Sequence, residues 1–176
     1  MAILGIDDFK SRLTGGGARA NMFKATVNFP GYAEGDVELT SFLCKAAQLP
    51  ASILSPVEIP FRGRKLIMAG DRTFEPWTVT IINDENFSVR NTMEQWMANI
   101  NSHEANIQLA AQTAYKSDSE VKHYAKDGST IATYRFYGLF PTELGAIELS
   151  WDANDQIEEY TVTFAYDYWN HDGVTS

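Results

Sequence analysis

The chain has 176 residues, 44% of them hydrophobic and 12% aromatic, and a formal net charge of −9. That length suits one domain with a buried core, and that content of large apolar groups excludes a disordered chain. The acidic balance argues against a nucleic-acid grip, whose affinity comes from neutralising phosphates, and the single cysteine, Cys44, excludes an internal disulfide or a thiolate metal cage. The charge is also uneven. After Arg135 there is no Lys or Arg, and from Glu143 onward there are eight acids, whereas Arg62, Arg64, Lys65 and Arg72 cluster upstream. Apolar runs are only a few residues long, so no membrane anchor is expected. The opening stretch MAILGIDDFKSRL carries Asp7 and Asp8 and no long apolar core; it does not read as a secretion signal, and the expected compartment is a cytosol.

Residues 1–20 read as an N-terminal arm. Ile3, Leu4, Ile6, Phe9 and Leu13 suggest a helical turn or two, interrupted by Gly15, Gly16 and Gly17. Residues 22–29 alternate, with Phe23, Ala25, Val27 and Phe29 on one side, which predicts a half-buried strand ended by Pro30-Gly31. Residues 36–47 read as the next strand, with Cys44 in it as a small buried hydrophobe. Residues 48–72 differ: Pro50, Pro56 and Pro60 argue against a central strand, while Leu49, Ile53, Leu54, Val57, Ile59 and Phe61 keep the segment apolar. A long extended loop over 48–72 is expected, either packed on another molecule or folded over its own core.

Trp77–Ile82 has strong strand propensity. Asn83 and Asp84 are placed to cap a helix, and with Glu85 they suit a helix entrance better than an acid pair for catalysis. The helix runs over about 87–101, with Val89, Met93, Trp96, Met97 and Ile100 on its core face. Residues 102–120 are polar and read as a surface loop. Strands are then expected over 131–139, 146–152 and 157–168, with 170–176 as a C-terminal tail. The sum is a mainly β fold: a two-sheet antiparallel β-sandwich or flattened barrel with one flanking α-helix, in a single domain spanning 1–176.

The chemistry-bearing residues do not gather into a known motif. His103, His123 and His171 have no second His or Cys at metal spacing, and there is no H-E-x-x-H, C-x-x-C, G-x-S-x-G or G-x-G-x-x-G. No cofactor, no metal and no enzymatic activity are expected.

The informative stretch is Phe61-Arg-Gly-Arg-Lys-Leu-Ile-Met-Ala-Gly-Asp-Arg-Thr-Phe-Glu-Pro-Trp77-Thr-Val-Thr80. It resembles the tail tube proteins of contractile-tailed bacteriophages, in which an Arg-Lys pair precedes Ala-Gly-Asp-Arg-Thr-Phe and a Trp-Thr-Val-Thr strand. Three further blocks resemble that family in the same order: Cys44-Lys45-Ala46 with Leu49-Pro50-Ala51; Asn83-Asp84-Glu85; and Gly138–Thr142, then Leu149–Asp152, then Asp167–Trp169. The resemblance covers about residues 19–169 and leaves out the first 18 residues and the segment 31–38.

The resemblance implies hexameric rings stacked into a hollow tube inside a contractile sheath, with a channel through which DNA passes without specific binding. It implies tail sheath, baseplate and tail terminator proteins as partners, and a place in the virion tail after assembly in the host cytoplasm. The tube of a secretion system or of a phage-derived bacteriocin is the related alternative. Ring-stacking contacts are expected from Leu49, Pro50, Ile53, Leu54, Val57, Ile59, Phe61, Arg62, Arg64, Lys65, Asp71 and Arg72, with Asp71 alternatively pairing locally with Arg64 or Arg72. Three polar strand faces compete for the channel wall: Lys24, Thr26 and Asn28; Glu148, Ser150 and Asp152; and Glu159, Thr161 and Thr163. The last is the expected one, because small hydroxyls and a repeated negative charge offer little to a phosphate or a base.

Overall fold

In the computed structural model, residues 5–105, 107 and 111–172 are described; Ile3, Leu4 and the end of the tail lie outside them. A short helix α1 (Ile6–Arg12) is followed by a 3-10 turn over Thr14–Gly16. The chain then forms β1 (Phe23–Val27), α2 (Val37–Leu43), β2 (Cys44–Ala47), β3 (Ile53–Phe61), β4 (Arg64–Thr73) and β5 (Trp77–Ile82). After these come α3 (Ser88–Ile100), α4 (Gln112–Tyr115), β6 (Ser117–Tyr124), β7 (Thr130–Leu144), β8 (Glu159–Ala165) and β9 (Tyr168–His171).

The strands form one antiparallel path, β1–β6–β7–β8–β5–β2, with β9 beside β7. β7 serves two half-sheets. Its first part pairs with β6 and, through Tyr134–Tyr137, with β9, and its last part, Phe140–Leu144, pairs with β8. Between the two parts Gly138 has φ 67°, where a Cβ would overlap the Asp167 carboxylate; only glycine fits that bend. Side chains from both half-sheets meet in one core of Ala25, Val27, Trp77, Val79, Ile81, Val121, Phe136, Leu139, Tyr160, Val162 and Phe164. Trp77 stacks on Phe136 with ring centroids 4.6 Å apart. The expected mainly β, two-layered antiparallel fold with a flanking helix is present, and it stays an open sandwich because β1 and β2, at the two ends of the path, do not pair.

α3 closes the core. Val89, Met93 and Trp96 are buried, Ile100 packs against the core, and Met97 is half-buried. Trp96 lies against Phe29 and Phe164, and its indole N–H donates to Tyr115 O at 2.8 Å. The helix begins at Ser88, where Asp84 accepts from the Ser88 backbone N–H at 3.2 Å and from the Ser88 hydroxyl at 2.5 Å.

Four local expectations are corrected. Residues 37–43 are a helix and only Cys44–Ala47 a strand, because Asp36 accepts from Glu38 N and Leu39 N, both at 2.9 Å; that N-cap outweighs a weak alternation. Residues 117–124 are a strand that begins inside the surface loop expected over 102–120, hidden because Val121 is its only buried large apolar residue among charged neighbours. Residues 146–152 form no strand: β8, which follows them, already pairs on both edges, with β5 and β7, and Leu149 and Trp151 stay exposed with no layer to pack against. The extended loop over 48–72 is a β-hairpin. Pro56 and Pro60 sit opposite Ala69 and Lys65 in an edge strand, the one strand position where a missing donor costs no ladder bond.

Candidate assembly interface

The hairpin β3–β4 turns through Arg62 and Gly63, whose φ values of 46° and 81° are both positive, as a two-residue type I′ turn requires. Nine residues of strand at about 3.3 Å each carry the tip about 30 Å from its root. Neither strand contains a buried residue. The register places Val57, Ile59 and Phe61 on one face with Leu66 and Met68, all exposed, Phe61 at 67%. The opposite face mixes Leu54, Glu58, Ile67, Lys65 and Arg72, with a Lys65–Glu58 ion pair at 2.5 Å. An isolated two-stranded hairpin is marginally stable in water, and an apolar face of this extent on a protruding arm is the mark of a surface made to be covered.

The residues singled out from sequence divide by position. Arg62, Arg64 and Lys65 occupy the tip, and Arg72 sits near the root, where it donates to the Ser52 hydroxyl at 2.6 Å. Leu49 and Pro50 lie in the linker from β2, and Ile53 is half-buried at the root. Asp71 pairs with neither Arg64 nor Arg72 among the described residues. Leu66, Ile67 and Met68 extend the same exposed apolar surface and were not among the residues expected there. The available signal was symmetry: an apolar run after Arg64-Lys65 mirrors the one before Arg62.

The half-sheet β7–β8–β5–β2 is the second element. Its inner face buries Trp77, Val79, Ile81, Tyr160, Val162 and Phe164. Its outer face therefore carries Thr78, Thr80, Glu159, Thr161 and Thr163, with Thr78 opposite Thr163 and Thr80 opposite Thr161. Thr161 is exposed, and the Thr163 and Thr78 hydroxyls lie 3.5 Å apart. Glu159 pairs with Lys45 across this face, so its charge is countered within the subunit rather than standing alone. Both edges of the half-sheet are open. β2 pairs only with β5, and β7 beyond Leu139 pairs only with β8. Cys44, at the start of β2, is half-buried, and burial pushes its thiol up to about 11, so it is a poor nucleophile at neutral pH. Of the other polar faces, β1 holds Lys24 exposed and Thr26 half-buried, and Asn28, just past its end, donates to Asp118 O at 2.7 Å. Glu148, Ser150 and Asp152 are exposed in the segment without strand structure.

The comparisons with known proteins match this architecture. The family model for phage tail tube protein covers residues 9–172. The tail tube protein gp19 of Enterobacteria phage T4 is 36% identical over 153 residues, 86% of this chain and 90% of that protein. The tail tube protein of Serratia phage KSP90 is 29% identical over 166 residues, covering 92% and 93%. Among solved structures, a chain of the sheath-tube complex of the extracellular contractile injection system PVC shares the fold with a TM-score of 0.59 at 16% identity, covering 92% of this chain and 95% of that one. A chain of the anti-feeding prophage baseplate superposes with a TM-score of 0.62 at 8% identity, covering 88% and 94%. On the family model and the T4 relative together, this chain belongs to the phage tail tube protein family.

Proposed function

We propose that this tail tube protein is a non-enzymatic building block whose copies close into hexameric rings and stack into a hollow conduit for DNA inside a contractile sheath. The half-sheet β7–β8–β5–β2 carries the reading: it has two open edges, on β2 and on Phe140–Leu144 of β7, and an outer face of small hydroxyls. Unpaired strand edges invite addition of another chain. Joining β2 of one copy to β7 of the next is a head-to-tail contact, and such contacts consume both edges when the rotation closes into a ring. The ring then carries a continuous barrel, with Glu159, Thr161 and Thr163 facing the channel beside Thr78 and Thr80. On that wall Lys45 is paired with Glu159, and the hydroxyls offer neither charge nor a large apolar group to passing DNA.

Stacking is the work of the hairpin, through Leu54, Val57, Ile59, Phe61, Arg62, Arg64, Lys65 and Arg72 with the root residues Leu49, Pro50, Ile53 and Asp71. Sheath, baseplate and tail terminator proteins are the proposed partners, and the virion tail the proposed location. The relatives' names and the sheath-tube and baseplate assemblies that hold chains of this fold support this reading. Negative-stain microscopy across a concentration series tests it. Six-fold rings or tubes are the expected result. A monomer at every concentration, with no tubes, refutes it.

A further inference from the structure

The two ends of the half-sheet β7–β8–β5–β2 carry unlike surfaces. The hairpin leaves from the end where β5 begins, with Trp77 opposite Phe164. The loop 145–158 occupies the other end: Gly145 N–H donates to Thr161 O at 2.7 Å, and Asn83 N–H, just past β5, donates to Glu158 O at 2.8 Å. The six residues of β5 separate the two by about 20 Å.

Each surface is incomplete in its own copy. In the loop, Trp151 is fully exposed, Leu149 is 80% exposed and Ile157 71%. Beside them Glu148, Asp152 and Asp155 make no ion pair among the described residues. On the hairpin, the apolar face of Val57, Ile59, Phe61, Leu66 and Met68 is uncovered. At its tip Arg62 lies over the ring of its own Phe61 at 5.4 Å, and neither Arg62 nor Arg64 has an acidic partner among the described residues. One surface is apolar and cationic, the other apolar and anionic, and they lie at opposite ends of the same rigid sheet.

We infer that the hairpin tip of one copy seats on the 145–158 loop of a second copy, with Phe61 and Leu66 against Trp151 and Leu149, and Arg62 and Arg64 facing Glu148, Asp152 and Asp155. The inference rests on the stacked-tube reading and names the surface that receives the hairpin. A contact between opposite ends of one molecule stacks copies along an axis, and where the rotation does not close it repeats into a filament. A central aromatic rimmed by charge is also the arrangement that concentrates binding energy in a few residues.

The full-length chain tests this. A variant carrying both Pro60→Cys and Ala153→Cys, exposed positions beside the proposed contact rather than in it, assembled and treated with a short bis-maleimide, is expected to give a ladder of cross-linked multimers on a denaturing gel. Wild-type protein, with its half-buried Cys44, is the control. Trp151→Ala is expected to raise the concentration needed for assembly at least about tenfold, the scale of removing an interface anchor, with the melting temperature of the free subunit unchanged. Asp152→Arg and Arg64→Asp are each expected to impair assembly, and the two together to restore part of it. Tubes without a ladder, and Trp151→Ala assembling at the wild-type concentration, would overturn the inference while leaving the tube reading intact; the loop then faces a different protein outside the tube. If wild-type protein forms no rings or tubes at all, the tube reading falls and this inference falls with it.

Discussion

Replacing Trp96 tests whether α3 is a structural closure of the sandwich. The side chain is fully buried between Phe29 and Phe164, with centroids 5.8 and 6.2 Å away, and its N–H holds Tyr115 O. Trp96→Ala removes that packing, a loss of about 3–5 kcal/mol. It also leaves a carbonyl without its donor, which costs about 1–3 kcal/mol when the group stays buried. The two overlap, so the upper half of the first range, about 4–5 kcal/mol, is expected. For a domain of this size about 2–4 °C of melting temperature goes with each kcal/mol, so the midpoint should drop by about 8–20 °C. Trp96→Phe keeps most of the apolar volume and loses the hydrogen bond, so it should cost about 2 kcal/mol and a correspondingly smaller shift. The assay is thermal unfolding by circular dichroism on unassembled subunit, since assembly stabilises the folded state by mass action. A drop below about 3 °C for Trp96→Ala would refute the account, because it would mean that the core does not depend on the helix.

Three further outcomes are expected. Thr161→Lys with Thr163→Lys should leave tubes formed but make them retain DNA, more strongly at low salt because the attraction is screened; salt-independent retention, or none, would remove these residues from the channel wall. Trypsin should cut at Arg62, Arg64 or Lys65 in the free subunit, where all three are exposed, and not in the tube; equal protection in both states would show that the hairpin is not a stacking element. At Asp84, burial favours the neutral acid, but the hydrogen bonds from the Ser88 hydroxyl and backbone outweigh it and hold the carboxyl below its usual range. A depressed folded-state pKa gives stability that is present above the unfolded value and lost as the pH falls. Melting temperatures between pH 6 and pH 3 should therefore decline less in Asp84→Asn than in wild type, and parallel declines would exclude that site.

The hairpin shows how local rules misread a segment that stands away from the core of its own subunit. Proline spacing argues against a strand in the middle of a sheet, and β3 is not in the middle of one; among the described residues its outer edge meets no other strand. The loop 145–158 misleads in the opposite sense. Its alternation of Ile147, Leu149 and Trp151 with Glu148, Ser150 and Asp152 looks like a half-buried strand, yet only Ile147 packs against the core, and Leu149 and Trp151 stay exposed. In both places the apolar pattern is real, and within the subunit most of it stays uncovered.

Sequence alone determined the elements whose pattern and propensity agree. These are the alternation in β1 and β8, the β-branched run in β5, the helical stripe of Val89, Met93 and Trp96, and the ordered blocks around Ala69–Phe74 that mark the family. Each depends on neighbours a few residues apart or on a string of identities. Only the tertiary structure decided which edges stay open, that Lys45 meets Glu159, that the threonines of β5 and β8 share one face, and that the hairpin and the acidic loop stand at opposite ends of one sheet. Those facts depend on strand order and register. They are set by long-range pairing in which Lys45 and Glu159 are 114 residues apart, and local periodicity carries no information about partners at that separation.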